Sequence, residues 1–344
     1  WSALPGLLES PRPTMSAQLV GTLRHSPLFG HFTEEDCAVL AGCVSPAHGP
    51  AGVTLIQRND PSRDPFFLVS GFVRITRDTP YGPYVFALLG PGELFGEASF
   101  IDGLGRSGDV ACEGDVELIR FSADLLALAA ERDTHFSVAL HWTFWKSLAA
   151  KLRQANEHLL RFFSDGGGPP VSEAKQAVKG STGQFQVDLA ARRQLFEEQK
   201  LSAMEIGFLS SLSKAKKLGP GDLLFREGEP GDRMYVVLEG QVRISKFIPG
   251  VGEEALAFLD RGDYFGEMSL IDNAPRSADA RAHTGGAVVL AIPREVLEGI
   301  LDIRRVTSLR LLRILCSLVT KRLREIDEKI VGWYLLSGGS STPL

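Results

Sequence analysis

Phe95-Gly96-Glu97-Ala98-Ser99-Phe100-Ile101-Asp102 recurs 170 positions later as Phe265-Gly266-Glu267-Met268-Ser269-Leu270-Ile271-Asp272. Arg106-Ser107 returns at the same offset as Arg276-Ser277. Upstream, Gly71-Phe72-Val73-Arg74-Ile75 matches Gly240-Gln241-Val242-Arg243-Ile244, and Gly52 matches Gly221, both at an offset of 169, so one residue is gained in the loop between. A period this long exceeds that of any solenoid, so the chain carries a duplicated domain whose copies each bury a core. Its 344 residues suit two domains at roughly 150 residues apiece.

Hydrophobic residues at 44% and charged residues at 23% describe an ordinary globular chain rather than a disordered or fibrous one. Thirty-seven Lys plus Arg against 42 Asp plus Glu leave a net charge of −5, the wrong sign for a chain whose main partner is nucleic acid. The cysteines, Cys37, Cys43, Cys112 and Cys316, form no CxxC pair and suggest neither a metal site nor a disulfide framework. No apolar run approaches the roughly 18 residues of a membrane span. The N-terminus lacks a signal-peptide layout, so the expectation is a cytoplasmic protein without a membrane partner.

Residues 1–24, which open on a Pro-rich stretch ahead of Met15, are expected to be a flexible leader. The breakers Asp165-Gly166-Gly167-Gly168-Pro169-Pro170 separate the copies. The expected boundaries are 25–163 for the first domain, 164–195 for a linker and connecting helix, 196–335 for the second domain and 336–344 for a flexible tail. Within each copy, β-branched and aromatic runs such as Pro65 to Thr76 and Met234 to Phe247 alternate with Gly, Pro and Asp turns. The fold class is α+β, with two antiparallel, jelly-roll-like β-barrels. Each copy ends in a helix with a heptad seam: Val138, His141, Trp145, Leu148, Leu152, Ala155, Leu159 and Phe162, then Leu309, Leu312, Cys316, Val319, Leu323, Ile326, Ile330 and Trp333. The seams pair within one chain, as a pseudo-dimer, or between chains, as a homodimer; alternatively each helix packs on its own barrel.

Glu97 precedes Arg106 by nine residues, as Glu267 precedes Arg276, inside a Gly-containing turn. An ionised carboxylate only accepts hydrogen bonds and suits a sugar hydroxyl, whereas the guanidinium fork suits phosphate oxygens. Gly96 and Gly266 let the backbone approach a ligand closely. A ribose with a phosphate nearby fits both ends; an internal salt bridge in a domain that binds nothing is the alternative.

With Pro275-Arg276-Ser277-Ala278 following it, Phe265 to Leu270 resembles the phosphate-binding cassette of cyclic-nucleotide-binding domains, the family of the catabolite activator protein and the regulatory subunits of cAMP-dependent kinase. The resemblance spans most of 25–163 and 196–333. It implies that Glu267 and Glu97 take the ribose 2′-hydroxyl with help from the Gly266 and Gly96 amides. It implies too that Arg276 and Arg106 hold the cyclic phosphate, with Ser277, Ala278, Ser107 and Gly108 alongside and Met268 and Ala98 in the cassette. Trp333 or Tyr334, and Phe162 or Phe163, are the implied caps over the base of the second and first sites. The first copy departs from the pattern at Leu104-Gly105, at Gly108, and at Arg58-Asn59 where the second has Glu227-Gly228, so the second site is expected to be the tighter. Ser277 and Ser107, in place of the Thr common after the cassette Arg in cGMP-selective members, favour cAMP over cGMP; a cyclic dinucleotide stays open.

The expected function is a non-enzymatic cyclic-nucleotide receptor, with no cofactor, that regulates an unidentified protein partner. A ligand-independent scaffold and a regulatory subunit of a separate enzyme are the alternatives. With the second copy after the first closing helix and eleven residues after Trp333, no DNA-reading helix-turn-helix is expected. No kinase, cyclase, phosphodiesterase or HExxH signature occurs. The basic residues Arg304, Arg305, Arg310, Arg313, Lys321, Arg322 and Arg324 are interleaved with acids and read as a solvated helix face. Arg192-Arg193-Gln194-Leu195 likewise reads as a helix face rather than a substrate-like inhibitory segment.

Overall fold

The β-branched runs of the first repeat pair as two four-stranded antiparallel sheets, ordered β1-β8-β3-β6 and β2-β7-β4-β5. Their elements are α1 (Pro13–Arg24), α2 (Glu34–Ala41), β1 (Val44–Gly49), β2 (Thr54–Ile56), β3 (Phe66–Ser70), β4 (Val73–Arg77), β5 (Tyr84–Leu89), β6 (Leu94–Phe95), α3 (Glu97–Asp102), β7 (Asp109–Cys112), β8 (Val116–Phe121), α4 (Ala123–Arg132) and α5 (Thr134–Ser164). Both sheets turn apolar faces to one core, in which Phe66, Phe95 and Leu118 of the first meet Ile56, Val73 and Val110 of the second. This computed structural model describes residues 13–164, 187–248, 252–300 and 309–339. The breaker-rich linker at 165–186 lies outside the described residues, as do 1–12 and 340–344.

The second repeat comprises α6 (Leu189–Glu198), α7 (Ala203–Leu212), β9 (Lys214–Leu218), β10 (Leu223–Phe225), β11 (Arg233–Ile248), β12 (Gly252–Leu259), β13 (Tyr264–Phe265), α8 (Met268–Ile271), β14 (Asp279–Pro293), α9 (Arg294–Ile300) and α10 (Leu309–Leu336). Here β10-β14-β11-β12 form one antiparallel sheet, with β13 on β11 and β9 on β14. Strand β11 runs through the corner that separates β3 from β4, and its pairing with β14 shifts register around Gly240, as bulged strands do when they bend. Gly240 and Gly71 hold φ of 72° and 81°, and a Cβ on Gly240 would stand 2.2 Å from the Gly286 carbonyl; only glycine turns this corner. The antiparallel sheets and flanking helices are those expected; among the described residues no ladder closes either set of sheets into a barrel.

Chain contacts divide the molecule into unit 1, Trp1–Lys151 with Val319–Leu344, and unit 2, Leu152–Leu318. These limits differ from the repeat boundaries because the closing helices are long. Helices α5 and α10 have 31 and 28 residues, about 46 and 42 Å at 1.5 Å per residue, against roughly 30 Å for a small domain. The last part of α5 therefore belongs to unit 2 and the last part of α10 to unit 1. Seam positions Val138, Trp145, Leu148, Leu152, Leu312, Cys316, Val319, Ile326 and Ile330 are all buried within the single chain. Residues 13–24, placed in the leader by composition, form α1 and bury Val20 and Leu23. Proline suits its first turn, where the missing N–H would have no partner.

Helix starts follow local chemistry. Thr33 and Asp36 form a capping box on α2, and Ser202 and Glu205 form another on α7. Glu205, 1% exposed, also accepts from the Leu311 amide at 3.0 Å, so one buried carboxylate starts both α7 and α10.

Candidate functional site: two cassettes

Each repeated motif runs from a two-residue strand through a left-handed glycine into a short helix. Gly96 and Gly266 have φ of 81° and 76°, and a Cβ on either would lie 2.6 Å from Nη1 of Arg106 or Arg276. Each glycine thus admits the guanidinium beside its own carbonyl. Arg106 Nη1 donates to Gly96 O at 3.0 Å and Nη2 to Asp64 O at 2.8 Å. In the second copy Arg276 Nη1 donates to Gly266 O at 2.7 Å and Nη2 to Arg233 O at 2.8 Å. These two bonds are the same in both cassettes.

Both arginines are buried, at 3% and 4% exposed. Burial pulls Arg106 down to about 10 and Arg276 below the usual guanidinium range. Neither donates to the glutamate nine residues before it: Arg106 spends its remaining Nε on Ser62 Oγ at 3.2 Å, while Arg276 Nε is buried without a partner. The Arg276 guanidinium lies over the Phe225 ring at 4.3 Å and near the Tyr235 ring at 5.8 Å. A desolvated cation bonded only to neutral acceptors is stabilised by any anion that reaches it. The expected Glu–Arg salt bridge of a non-binding domain is not the arrangement found.

The glutamates, Glu97 and Glu267, are also buried, at 1% and 2% exposed. Glu97 accepts from Ser147 Oγ at 2.8 Å and from Lys151 Nζ, and Lys151 Nζ also reaches Leu94 O at 2.6 Å. Lys321, which follows Lys151 by 170 positions, is exposed and pairs instead with Glu325 on its own helix.

The family model for the cyclic nucleotide-binding domain matches residues 48–133 and 215–304, together more than half of the chain. This chain belongs to the cyclic nucleotide-binding domain family. It holds two such domains in tandem. A CRP-like cAMP-activated global transcriptional regulator of Mycobacterium tuberculosis is 32% identical over 143 residues, covering 42% of this chain and 61% of the regulator. The cAMP-dependent protein kinase regulatory subunit of Mycosarcoma maydis is 35% identical over 99 residues, covering 26% of this chain and 19% of that protein. The chain thus spans less than two thirds of either relative. Among solved structures, the regulatory domain of Toxoplasma gondii PKA with cAMP aligns over 89% of this chain and 97% of its own, at 21% identity and a TM-score of 0.33.

The departures of the first cyclic nucleotide-binding domain prove structurally mild. Asn59 and Gly228 both take the left-handed conformation, with φ of 66° and 81°, and asparagine is among the side chains that tolerate it. Asn59 N donates to Arg106 O at 3.0 Å and Gly228 N to Arg276 O at 2.9 Å, so the turn is preserved. Gly108 is required where it stands: a Cβ there would meet Thr76 O at 2.8 Å, whereas Ala278 fits the second domain, 4% exposed. Beside these residues, Ser107 O accepts from Arg77 Nη2 at 3.1 Å and Ser277 Oγ lies 3.5 Å from Met268 Sδ.

The second-site cap is corrected. Tyr334 packs in unit 1, its ring tilted 4.9 Å from that of Tyr84 and edge-on 6.3 Å from that of Tyr81, and Trp333 lies in unit 1 as well. Helix length is the cause, since α10 outruns the domain it closes. The side chains of Phe162 and Phe163 lie outside the described residues. Arg324, expected on a solvated face, instead pairs with Asp102 of the first cassette at 2.6 Å. Sequence reasoning passed over Ser147, Lys151, Arg153 and Arg324 because charged and hydroxyl residues on helices ordinarily face water; the recurrence of Ser147 and Lys151 as Ser317 and Lys321 was the available signal. Arg192 to Leu195 falls in α6, where Arg192 Nη1 binds Ser213 O at 2.7 Å and Leu195 is 1% exposed. Among the described residues no helix is long and apolar enough to cross a membrane.

Proposed function

We propose that this protein is a cyclic-nucleotide receptor, favouring cAMP over cGMP, whose two cassettes each take one nucleotide and whose closing helices pass the binding state to a protein partner. The observation that supports the reading is Arg276: a buried guanidinium whose hydrogen bonds go to two carbonyls, with Nε left without one. A cyclic phosphate supplies both the missing acceptor and the missing charge. Glu267 and Glu97 are assigned to the ribose 2′-hydroxyl and Arg276 and Arg106 to the phosphate. Gly266 and Gly96 assist through their amides, and Met268, Ser277, Ala278, Ala98, Ser107 and Gly108 line the cassettes. Two relatives named for cAMP support the choice of base, as does serine after each cassette arginine.

The second site is taken as the tighter, because Gly105 and Gly108 of the first cassette raise the entropy cost of ordering its loop. Replacing Arg276 by Ala removes charge-assisted bonds worth about 1.5 to 3 kcal/mol, which lowers affinity at that site roughly ten- to a hundredfold. Glu267→Gln should weaken cAMP and leave a 2′-deoxy analogue nearly unchanged, measured by calorimetric titration in the Arg106→Ala background. Equal weakening of both ligands contradicts the hydroxyl role.

A further inference from the structure

We propose that Arg153 and Arg324 are positioning residues for the two cassettes, each holding the cassette of the repeat that does not encode it. Arg153 belongs to the first repeat in sequence, but it lies in unit 2, where Nε donates to Asp272 Oδ2 at 2.6 Å and Nη1 to Pro275 O at 3.1 Å. Arg324 belongs to the second repeat and lies in unit 1. There Nε donates to Asp102 Oδ2 at 2.6 Å, Nη2 to Asp102 Oδ1 at 3.1 Å and Nη1 to Gly105 O at 3.1 Å. Nε and Nη1 make the same two bonds twice, on the counterparts Asp102 and Asp272 and on the carbonyls of Gly105 and Pro275; the third bond, from Nη2, is made by Arg324 alone.

The targets are specific. Gly105 and Pro275 immediately precede Arg106 and Arg276, the arginines assigned to phosphate. Each aspartate also accepts from the cassette loop, Asp102 Oδ1 from Leu104 N and Asp272 Oδ1 from Ala274 N, both at 2.9 Å. The fork therefore fixes both ends of the loop between helix and phosphate arginine. The four side chains are largely shielded: Arg153 and Asp272 are 20% and 30% exposed, Arg324 and Asp102 19% and 14%. Arg324 meets Asp102 through the planar bidentate fork peculiar to arginine, and both guanidinium groups bridge an aspartate and a loop carbonyl. Arg324 follows Arg153 by 171 positions, one more than the offset between the cassettes, so the pair is invisible to a register match.

The consequence is a coupling written into connectivity. Helix α5 starts in unit 1 and delivers Arg153 to the second cassette; α10 starts in unit 2 and delivers Arg324 to the first. A ligand that orders one cassette loop favours the latched state of the helix arriving from the other repeat, and by linkage that helix biases the ligand equally. The binding half of this proposal rests on the receptor reading above; the loop-holding half does not.

Amide hydrogen exchange on the ligand-free 344-residue chain separates the two. Arg153→Ala should speed exchange about fivefold or more in 272–277 and leave 102–107 unchanged, whereas Arg324→Ala should give the reverse. Asp272→Asn keeps its loop acceptor and loses the charge; it should reproduce the Arg153→Ala pattern and add nothing when combined with it. Calorimetric titration with cAMP in the Arg106→Ala background, which isolates the second site, should then show Arg153→Ala weakening binding by a similar factor. Exchange that rises in the mutated residue's own repeat, or in neither loop, overturns the proposal, as does additivity of the double variant. A crossed exchange pattern in a chain that binds no cyclic nucleotide keeps the latch and removes the receptor reading; nucleotide binding with uncrossed exchange does the opposite.

Discussion

The cassette arginines donate to backbone carbonyls rather than to the cassette glutamates, and the proposed phosphate role rests on that geometry. It also explains the glycine beside each of them. Gly266→Ala forces a Cβ to within 2.6 Å of Arg276 Nη1 at a φ of +76°, and the left-handed conformation alone costs about 1 to 2 kcal/mol. Second-site cAMP affinity should therefore drop while the first site is retained, read by titration of the single variant; unchanged affinity would mean the guanidinium does not need that carbonyl. At this scale the sequence was most informative where chemistry repeats: Phe-Gly-Glu, Arg-Ser and their spacing gave both cassettes. Where residue types depart, at Asn59 and Gly105, the backbone bonds of the two turns are nevertheless the same, which residue identity alone does not reveal.

Among elements, strands and closing helices were legible from period and β-branching, whereas the way strands joined into sheets was not. Closure depends on ladders between residues far apart in sequence, which hydropathy patterns do not encode. Helix α1 was missed because proline-rich surroundings conceal a short helix whose burial comes from tertiary contact. Between α1 and α2, His31 Nε2 lies 2.9 Å from Ala139 O of α5, and burial pushes its pKa from 6.5 to about 4. Between those values the unfolded chain binds a proton that the native chain does not, so stability falls as pH drops through the window. Thermal unfolding followed from pH 7 to pH 4.5 should show a falling midpoint, and His31→Gln should flatten that dependence; an equal slope in the variant would remove His31 from the account.

For the whole molecule, sequence left open whether the heptad seams pair within a chain or between chains. The seam side chains named above are buried in one chain, which favours packing within it, and sedimentation of the 344-residue chain should return a one-chain mass across micromolar concentrations. A concentration-dependent dimer would show that another surface pairs. Domain boundaries were the least legible feature, since a repeat marks where copies begin and end in sequence, and two helices about 42 to 46 Å long need not stop where their own domain does. The central claim, a receptor with two unequal nucleotide sites, is tested most directly by calorimetric titration of the intact chain with cAMP, cGMP and a cyclic dinucleotide. The account predicts two cAMP per chain in two phases, the tighter one abolished by Arg276→Ala and the weaker by Arg106→Ala. Absence of binding by all three ligands would contradict it.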